Sequence, residues 1–151
     1  MAKFYFRLQD FLNLRERIEE QKKQEFGLAV ARLEKEKQLR DSLINEKESN
    51  IISFRTQIQV RIEPLSFRIH NDYIEWLKER IIEQEKVVQI AQNHVNQKRQ
   101  ELVEAMKDRR MLEKLREKEL AVFYKEQSIA EQKVLDEVVS YRFKMSKDAA
   151  T

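Results

Sequence analysis

Apolar residues return every seven positions through the second half of the chain. Ile74, Ile81, Val88, Val95 and Leu102 form one row, and Leu77, Gln84, Ala91, Lys98 and Ala105 stand between them. Steps of three and four keep both rows on one helical face. The spacing therefore predicts an a/d coiled-coil seam of about four heptads, with branched residues at a and small or polar residues interrupting d. Leu112 continues the d row, while Arg109 breaks the a row. The phase then slips. Leu115, Val122 and Ile129 form a new sevenfold row, and Val134, Val138, Tyr141 and Met145 extend a helical face to the end. Such a slip unwinds a supercoil locally without ending the helix.

The first half is less regular. Phe11 and Ile18 are seven apart, as are Phe26 and Leu33, and Ile44, Ile51 and Ile58 form a further row. Residues 34–50 carry the weakest stripe, on Leu39, Leu43 and Ile44. Gly27 lies inside this helical pattern and should weaken it by about 1 kcal/mol relative to alanine without breaking it.

The single proline, Pro64, falls between the two periodic halves. It cannot donate a helical hydrogen bond, it disfavours helical geometry at Glu63, and it suits the first turn of a following helix. Ser66, Asn71 and Asp72 offer capping oxygens nearby. A kink within one continuous rod competes with a turn here. The turn is favoured because folding back lets the two stripes bury each other. The expectation is an all-α chain, a long antiparallel two-helix coiled-coil hairpin in one domain over residues 1–151. Its first helix covers about 3–60, the turn about 59–68 and the second helix about 66–143, with a short C-terminal tail. Antiparallel pairing sets Phe4 beside the region around 120–130 and brings both termini to one pole.

Composition supports this outline. Charged residues make up 38% of the chain, against roughly 25% in ordinary globular proteins, so one apolar stripe per helix uses most of the hydrophobic material. Thirteen aromatics and a clear period speak against disorder. The net charge of +3 comes from interleaved acids and bases, as on a solvated helical surface with i,i+4 pairs rather than a nucleic-acid-binding face. The most basic run, residues 106–118, is interrupted by Asp108, Glu113 and Glu117; a solvated face is the plain reading, and a docking patch for an acidic partner the alternative.

Catalytic chemistry finds little support. There is no cysteine, and the two histidines, His70 and His94, are 24 residues apart, roughly 36 Å along a helix. One glycine cannot build a phosphate loop, and a rod offers no pocket to desolvate a carboxylate pair. The chain is read as a non-enzyme without metal or cofactor. It also lacks an apolar signal segment and a membrane span, which suggests a cytoplasmic protein that reaches a membrane only through partners. Function then lies in two surfaces. One is the terminal pole, with Phe4, Tyr5, Phe6, Leu8, Phe11 and Leu12 on one strand and Phe123, Tyr124, Tyr141 and Phe143 on the other. The other lies after the turn, around Tyr73, Trp76, Leu77, Arg80, Ile81 and Gln84, with Trp76 off the seam.

Three segments resemble a known family. FYFRLQDFLNLRERIEEQKKQEFGLAVARLEKEK looks like the start of the FliJ proteins of the bacterial flagellar type III export apparatus. YIEWLKERIIEQ is similar to that family's post-turn pattern, and LEKLREKELAVFYKEQSIAEQKVLDEV to its C-terminal run. The stretch QLRDSLINEKESN, residues 38–50, departs from the pattern by lacking an aromatic. The resemblance implies a two-helix stalk similar to the central stalk of rotary ATPases. Its terminal pole would enter the hexameric export ATPase and promote ring assembly and activity, with Phe4, Phe6, Leu8, Leu12 and Arg15 at the ATPase-facing end. Tyr73, Trp76, Leu77, Ile81 and Gln84 would face the cytoplasmic domain of the membrane export gate. The resemblance further implies recycling of export chaperones, a role in motility and chemotaxis, and a peripheral location on the cytoplasmic face of the cell membrane at the flagellar base. The isolated protein is expected to be a monomer. The equivalent stalk of an injectisome secretion system, a self-associating coiled-coil scaffold and an RNA-binding helical arm are the alternatives; the interleaved acids weigh against RNA.

Overall fold

The computed structural model describes residues 2–61 and 63–150. Two helices account for almost all of them: α1, Gln9–Ile58, and α2, Pro64–Asp148. They pack against each other as an all-α helical hairpin. Contacts group the chain into two compact units, one of Met1–Ile18 with Met106–Thr151 and one of Glu19–Ala105.

In the second unit, α2 buries the face its sequence advertises. Ile74, Leu77, Gln84, Val88, Ala91, Val95 and Ala105 are buried, and Ile81, Lys98 and Leu102 are half-buried. On α1 the facing row is Glu19, Lys22, Phe26, Ala29, Leu33, Glu36, Arg40, Leu43, Lys47, Asn50 and Phe54, all buried or half-buried. These positions also alternate in steps of three and four, so α1 carries a heptad as regular as that of α2, with more than half its members polar. Pairing is antiparallel: Lys22 meets Glu101, Gln84 meets Glu36, and Tyr73 meets Glu46. The apolar heart is Ala29, Leu33, Val88, Ala91 and Val95, flanked by Phe26 and Val30. The small alanines let the backbones approach, and the branched residues fill the space between them.

The turn is tighter than expected. α2 starts at Pro64, not near residue 66, because proline fits the first helical position, where no N–H partner is needed. The Glu63 carbonyl accepts the first bond, from the Phe67 N–H at 3.1 Å. Ser66, Asn71 and Asp72 therefore lie inside α2 and do not cap it. At the other side the Gln57 carbonyl receives both the Val60 and the Arg61 N–H at 3.1 Å, closing α1. Of the expected turn, Ile62 lies outside the described residues. Phe54 stacks on His70 with ring centroids 3.9 Å apart and also meets Phe67 at 6.0 Å, so aromatic packing fixes the first turn of α2 against the last turn of α1.

In the first unit α1 begins at Gln9, six residues later than expected. Ala2–Phe6 form no regular element and Arg7–Leu8 turn into α1, with the Gln9 N–H donating to the Phe6 carbonyl at 3.1 Å; exposure alternates along this stretch, with Phe4 half-buried, Tyr5 exposed, Phe6 buried, Arg7 exposed and Leu8 half-buried. That is the period of an extended chain, in which neighbouring side chains point to opposite sides. Three consecutive aromatics cannot share one helical face, but in this form Phe4 reaches α2 and Phe6 is buried. Phe4 meets Phe123 with centroids 5.6 Å apart.

The phase slip after Leu112 is real, but its direction differs from the expected one. The inward residues are Leu120, Phe123 and Gln127, whereas Leu115, Val122 and Ile129 are exposed. Counting along the seam, two steps of four follow one another between Leu112 and Leu120, the signature of a four-residue insertion. Phe11 is likewise exposed, and Leu12 occupies the buried position beside it. α2 continues to Asp148 rather than 143, and every residue from Glu131 to Ala150 is exposed.

Candidate interaction surfaces

After the turn, the residues expected to face the export gate separate into two groups. Leu77, Ile81 and Gln84 belong to the seam. Leu77 is 0% exposed. The Gln84 amide donates to the Glu36 backbone carbonyl at 3.0 Å and to its carboxylate at 2.6 Å, so a polar d residue is satisfied inside the hairpin. Tyr73 and Trp76 lie outside the seam. Their rings stack at 5.8 Å, and the Arg80 guanidinium lies 5.3 Å from the Trp76 ring centre. The Tyr73 hydroxyl donates to the Glu46 carboxylate, and this bond raises the phenol above its ordinary pKa. The result is a ladder of Tyr73, Trp76 and Arg80 at helical spacing, pinned to α1 at one end. Trp76 is half exposed at its centre, as an anchor for another protein would be.

Four charges close the seam where the aliphatic packing ends. The Lys98 ammonium donates to Glu25 at 3.2 Å and to Glu101 at 3.3 Å, and Lys22 donates to Glu101 at 3.2 Å and to Glu25 at 3.5 Å. Each acid is bridged to both lysines, which fixes register as polar seam residues do. Hydrogen bonds from Lys98 to Glu25, and from Lys22 and Lys98 to Glu101, hold both carboxyls below their usual value of 4.5. The bond to Glu101 raises Lys22, and bonds to Glu25 and Glu101 raise Lys98, above 10.5. The carboxylates thus contribute stability that is present above pH 4.5 and is lost as pH falls through their lower folded values. The lysines contribute stability that is complete below pH 10.5 and is lost only above it. Urea midpoints of the native protein and of Lys98→Met should differ by a constant amount across neutral pH, and the gap should close on acidification below 4.5. A gap that persisted unchanged in strong acid would show that Lys98 acts by packing rather than by charge.

At the terminal unit the expected ATPase-facing residues again divide. Phe6 is 3% exposed, and Leu12 is also buried. Phe4 and Leu8 are half-buried, and Arg15 forms an ion pair with Asp108 at 3.3 Å. These five hold the unit together. The side chains turned outward are their neighbours Tyr5, Phe11 and Leu14 on one strand and Met111, Leu115, Val122 and Tyr124 on α2. Leu8, Phe11, Arg15, Asp108, Met111 and Leu112 line an open groove between them. Sequence reasoning missed Leu14 because it seeks inward residues. The alternation of Phe4 to Leu8 was the available signal that Tyr5 points away.

The family described as "Flagellar FliJ protein" matches residues 4–148. The chain belongs to the FliJ family. A FliJ relative, the flagellar FliJ protein of Bacillus subtilis (strain 168), is 25% identical over 140 residues, covering 93% of this chain and 95% of the relative. No solved structure matches. As a FliJ protein the chain is a component of flagellar export and flagellum biogenesis, and the family it belongs to is non-enzymatic. Among the described residues no helix is long and apolar enough to cross a membrane.

Proposed function

We propose that this FliJ protein is the stalk that couples the hexameric export ATPase to the membrane export gate. The terminal unit enters the ATPase ring and promotes its assembly and activity. The ladder of Tyr73 and Trp76, braced from beneath by Leu77, Ile81 and Gln84, meets the gate's cytoplasmic domain. Export chaperones are recycled on the remaining surface, at the cytoplasmic face of the membrane.

The observation carrying this reading is apolar surface that the hairpin does not consume. Tyr5, Phe11, Leu14, Met111 and Val122 are all exposed within one unit, more than an isolated two-helix stem requires. Phe4, Phe6, Leu8, Leu12 and Arg15 act at the ATPase end by presenting that surface. A ring of six like subunits offers six equivalent walls, and two helices cannot match that symmetry. Each subunit therefore meets a different side of the stalk, which biases which one closes on ATP without any chemistry by the stalk itself.

The triple variant Tyr5→Ser, Phe11→Ser, Leu14→Ser changes only exposed side chains and should keep native helicity. It should reduce stimulation of the export ATPase about tenfold or more, as loss of an apolar anchor cluster does. Undiminished stimulation would remove this surface from the ATPase contact. One observation favours a second reading, self-association: Leu115, Val122 and Ile129 face outward at sevenfold spacing, with Met111 beside them. Sedimentation of the same preparations separates the two, since a dimer through that row would be concentration-dependent and absent from Val122→Lys.

A further inference from the structure

The turn end of the hairpin has a composition unlike the rest of the chain. From Ser49 to Asn71 the sequence contains three arginines and a single acid, Glu63, where an even spread of the chain's 27 acidic residues would place about four. Glu63 lies 3.8 Å from Arg61 in a weak exposed pair that a phosphate can replace, and the stretch keeps an excess of two cations. Among the described residues neither Arg55 nor Arg68 has an ion-pair partner. Around these cations Val60, Leu65, Phe67 and Ile69 are 86%, 69%, 53% and 61% exposed. Ile52 is exposed too, one turn before Arg55 on the same side of α1.

We propose that this tip binds the surface of an anionic lipid bilayer directly and reversibly. Arg55, Arg61 and Arg68 would meet lipid phosphates, while Val60, Leu65, Phe67 and Ile69 sink to the boundary between headgroups and acyl chains. Charge complementarity selects a negative partner, and the shape of the apolar set selects lipid among negative partners. The exposed residues belong to α1, the linker and α2, so they do not form the single helical stripe that a protein groove would take. A bilayer deforms around such a tip, whereas a protein groove would have to enclose it. Nucleic acid is disfavoured because the exposed apolar residues are mostly aliphatic and the flat rings of Phe54 and His70 are stacked on each other, so bases find no platform. Three cations and a few apolar side chains resemble one weak anchor rather than two, so the association is labile and salt-sensitive. The proposal does not depend on the ATPase or gate contacts and extends beyond contact with the membrane through partners.

Co-sedimentation of the full chain with vesicles of phosphatidylcholine, with and without phosphatidylglycerol, tests it. Binding should require phosphatidylglycerol and vanish in high salt. Arg55→Gln and Arg68→Gln should each weaken it about fivefold. The pair Leu65→Ser, Ile69→Ser should weaken it further with helicity unchanged, since both side chains are already solvent-exposed. A control pair in the other basic run, Arg110→Gln with Arg116→Gln, should bind as the native chain does. Equal binding to both vesicle types, no binding at low salt, or loss in the control pair with the tip variants unaffected would each overturn the proposal. Tip variants that abolish motility in cells while the native chain ignores vesicles would assign the tip to a protein and overturn it as well.

Discussion

Leu77→Ala is expected to destabilise the hairpin by about 3 kcal/mol, a large fraction of the stability of any protein this size. Leu77 has no solvent exposure and is the largest fully buried side chain. Its removal forfeits the transfer energy of three carbons and leaves a cavity that two long helices, pinned by neighbouring layers, cannot close. The melting temperature should drop by roughly 10 °C, followed by circular dichroism. Leu77→Asp should go further and open the turn-proximal stem, because a carboxylate there would have to be buried among apolar residues. Leu39→Ala is the control: Leu39 is half exposed and should change stability by about 0.5 kcal/mol or less. If the two alanine variants melted together, the assigned seam phase of both helices would be wrong.

Phe6→Ala should act in a different place. Phe6 is almost wholly buried, yet it belongs to the segment before α1 and not to a helix. Truncating it costs about 3–4 kcal/mol, more than so short a segment, held otherwise by the contact of Phe4 with Phe123, can sustain. The segment should detach while the helices remain folded. Trypsin cleavage after the exposed Arg7 should speed up about a hundredfold, in proportion to the open population, with helicity nearly unchanged. Tyr5→Ala should leave cleavage as it is, since Tyr5 points outward. A global loss of helix on Phe6→Ala would mean that the segment is part of one cooperative unit with the stem. The proposed ATPase contact would weaken with it, since a detached segment no longer presents Tyr5 beside Val122.

These contrasts show which parts of the structure were legible in the sequence. The seam of α2 from Ile74 to Leu112 could be read residue by residue, because branched side chains recur at a and the polar exceptions, Gln84 and Lys98, break the d row without hiding it. α1 has an equally regular seam, but Glu19, Lys22, Glu36, Arg40, Lys47 and Asn50 occupy it. A search for apolar periodicity cannot register such positions. Their partners, such as Gln84 for Glu36 and Glu101 for Lys22, are fixed only once the chain has folded back. The same assumption, that apolar means inward, misplaced Phe11 and the row Leu115, Val122 and Ile129. Those residues are outward. Pro64 lay inside the expected turn of about 59–68, but it opens α2 instead of standing mid-turn, so the linker after Ile58 is shorter than expected.

The distribution of aliphatic packing along the stem has a consequence for how it yields to force and heat. Ala29, Leu33, Val88, Ala91 and Val95 form one greasy knot; toward the turn it is followed by buried Ile74 and Leu77, and on its other side by the ionic group of Lys22, Glu25, Lys98 and Glu101. Opening of this unit should therefore begin on the ionic side of the knot and halt at its aliphatic side. A pull applied on the ionic side separates the helices there at smaller cost than one applied on the aliphatic side, so the two flanks of the knot give way in sequence and not together.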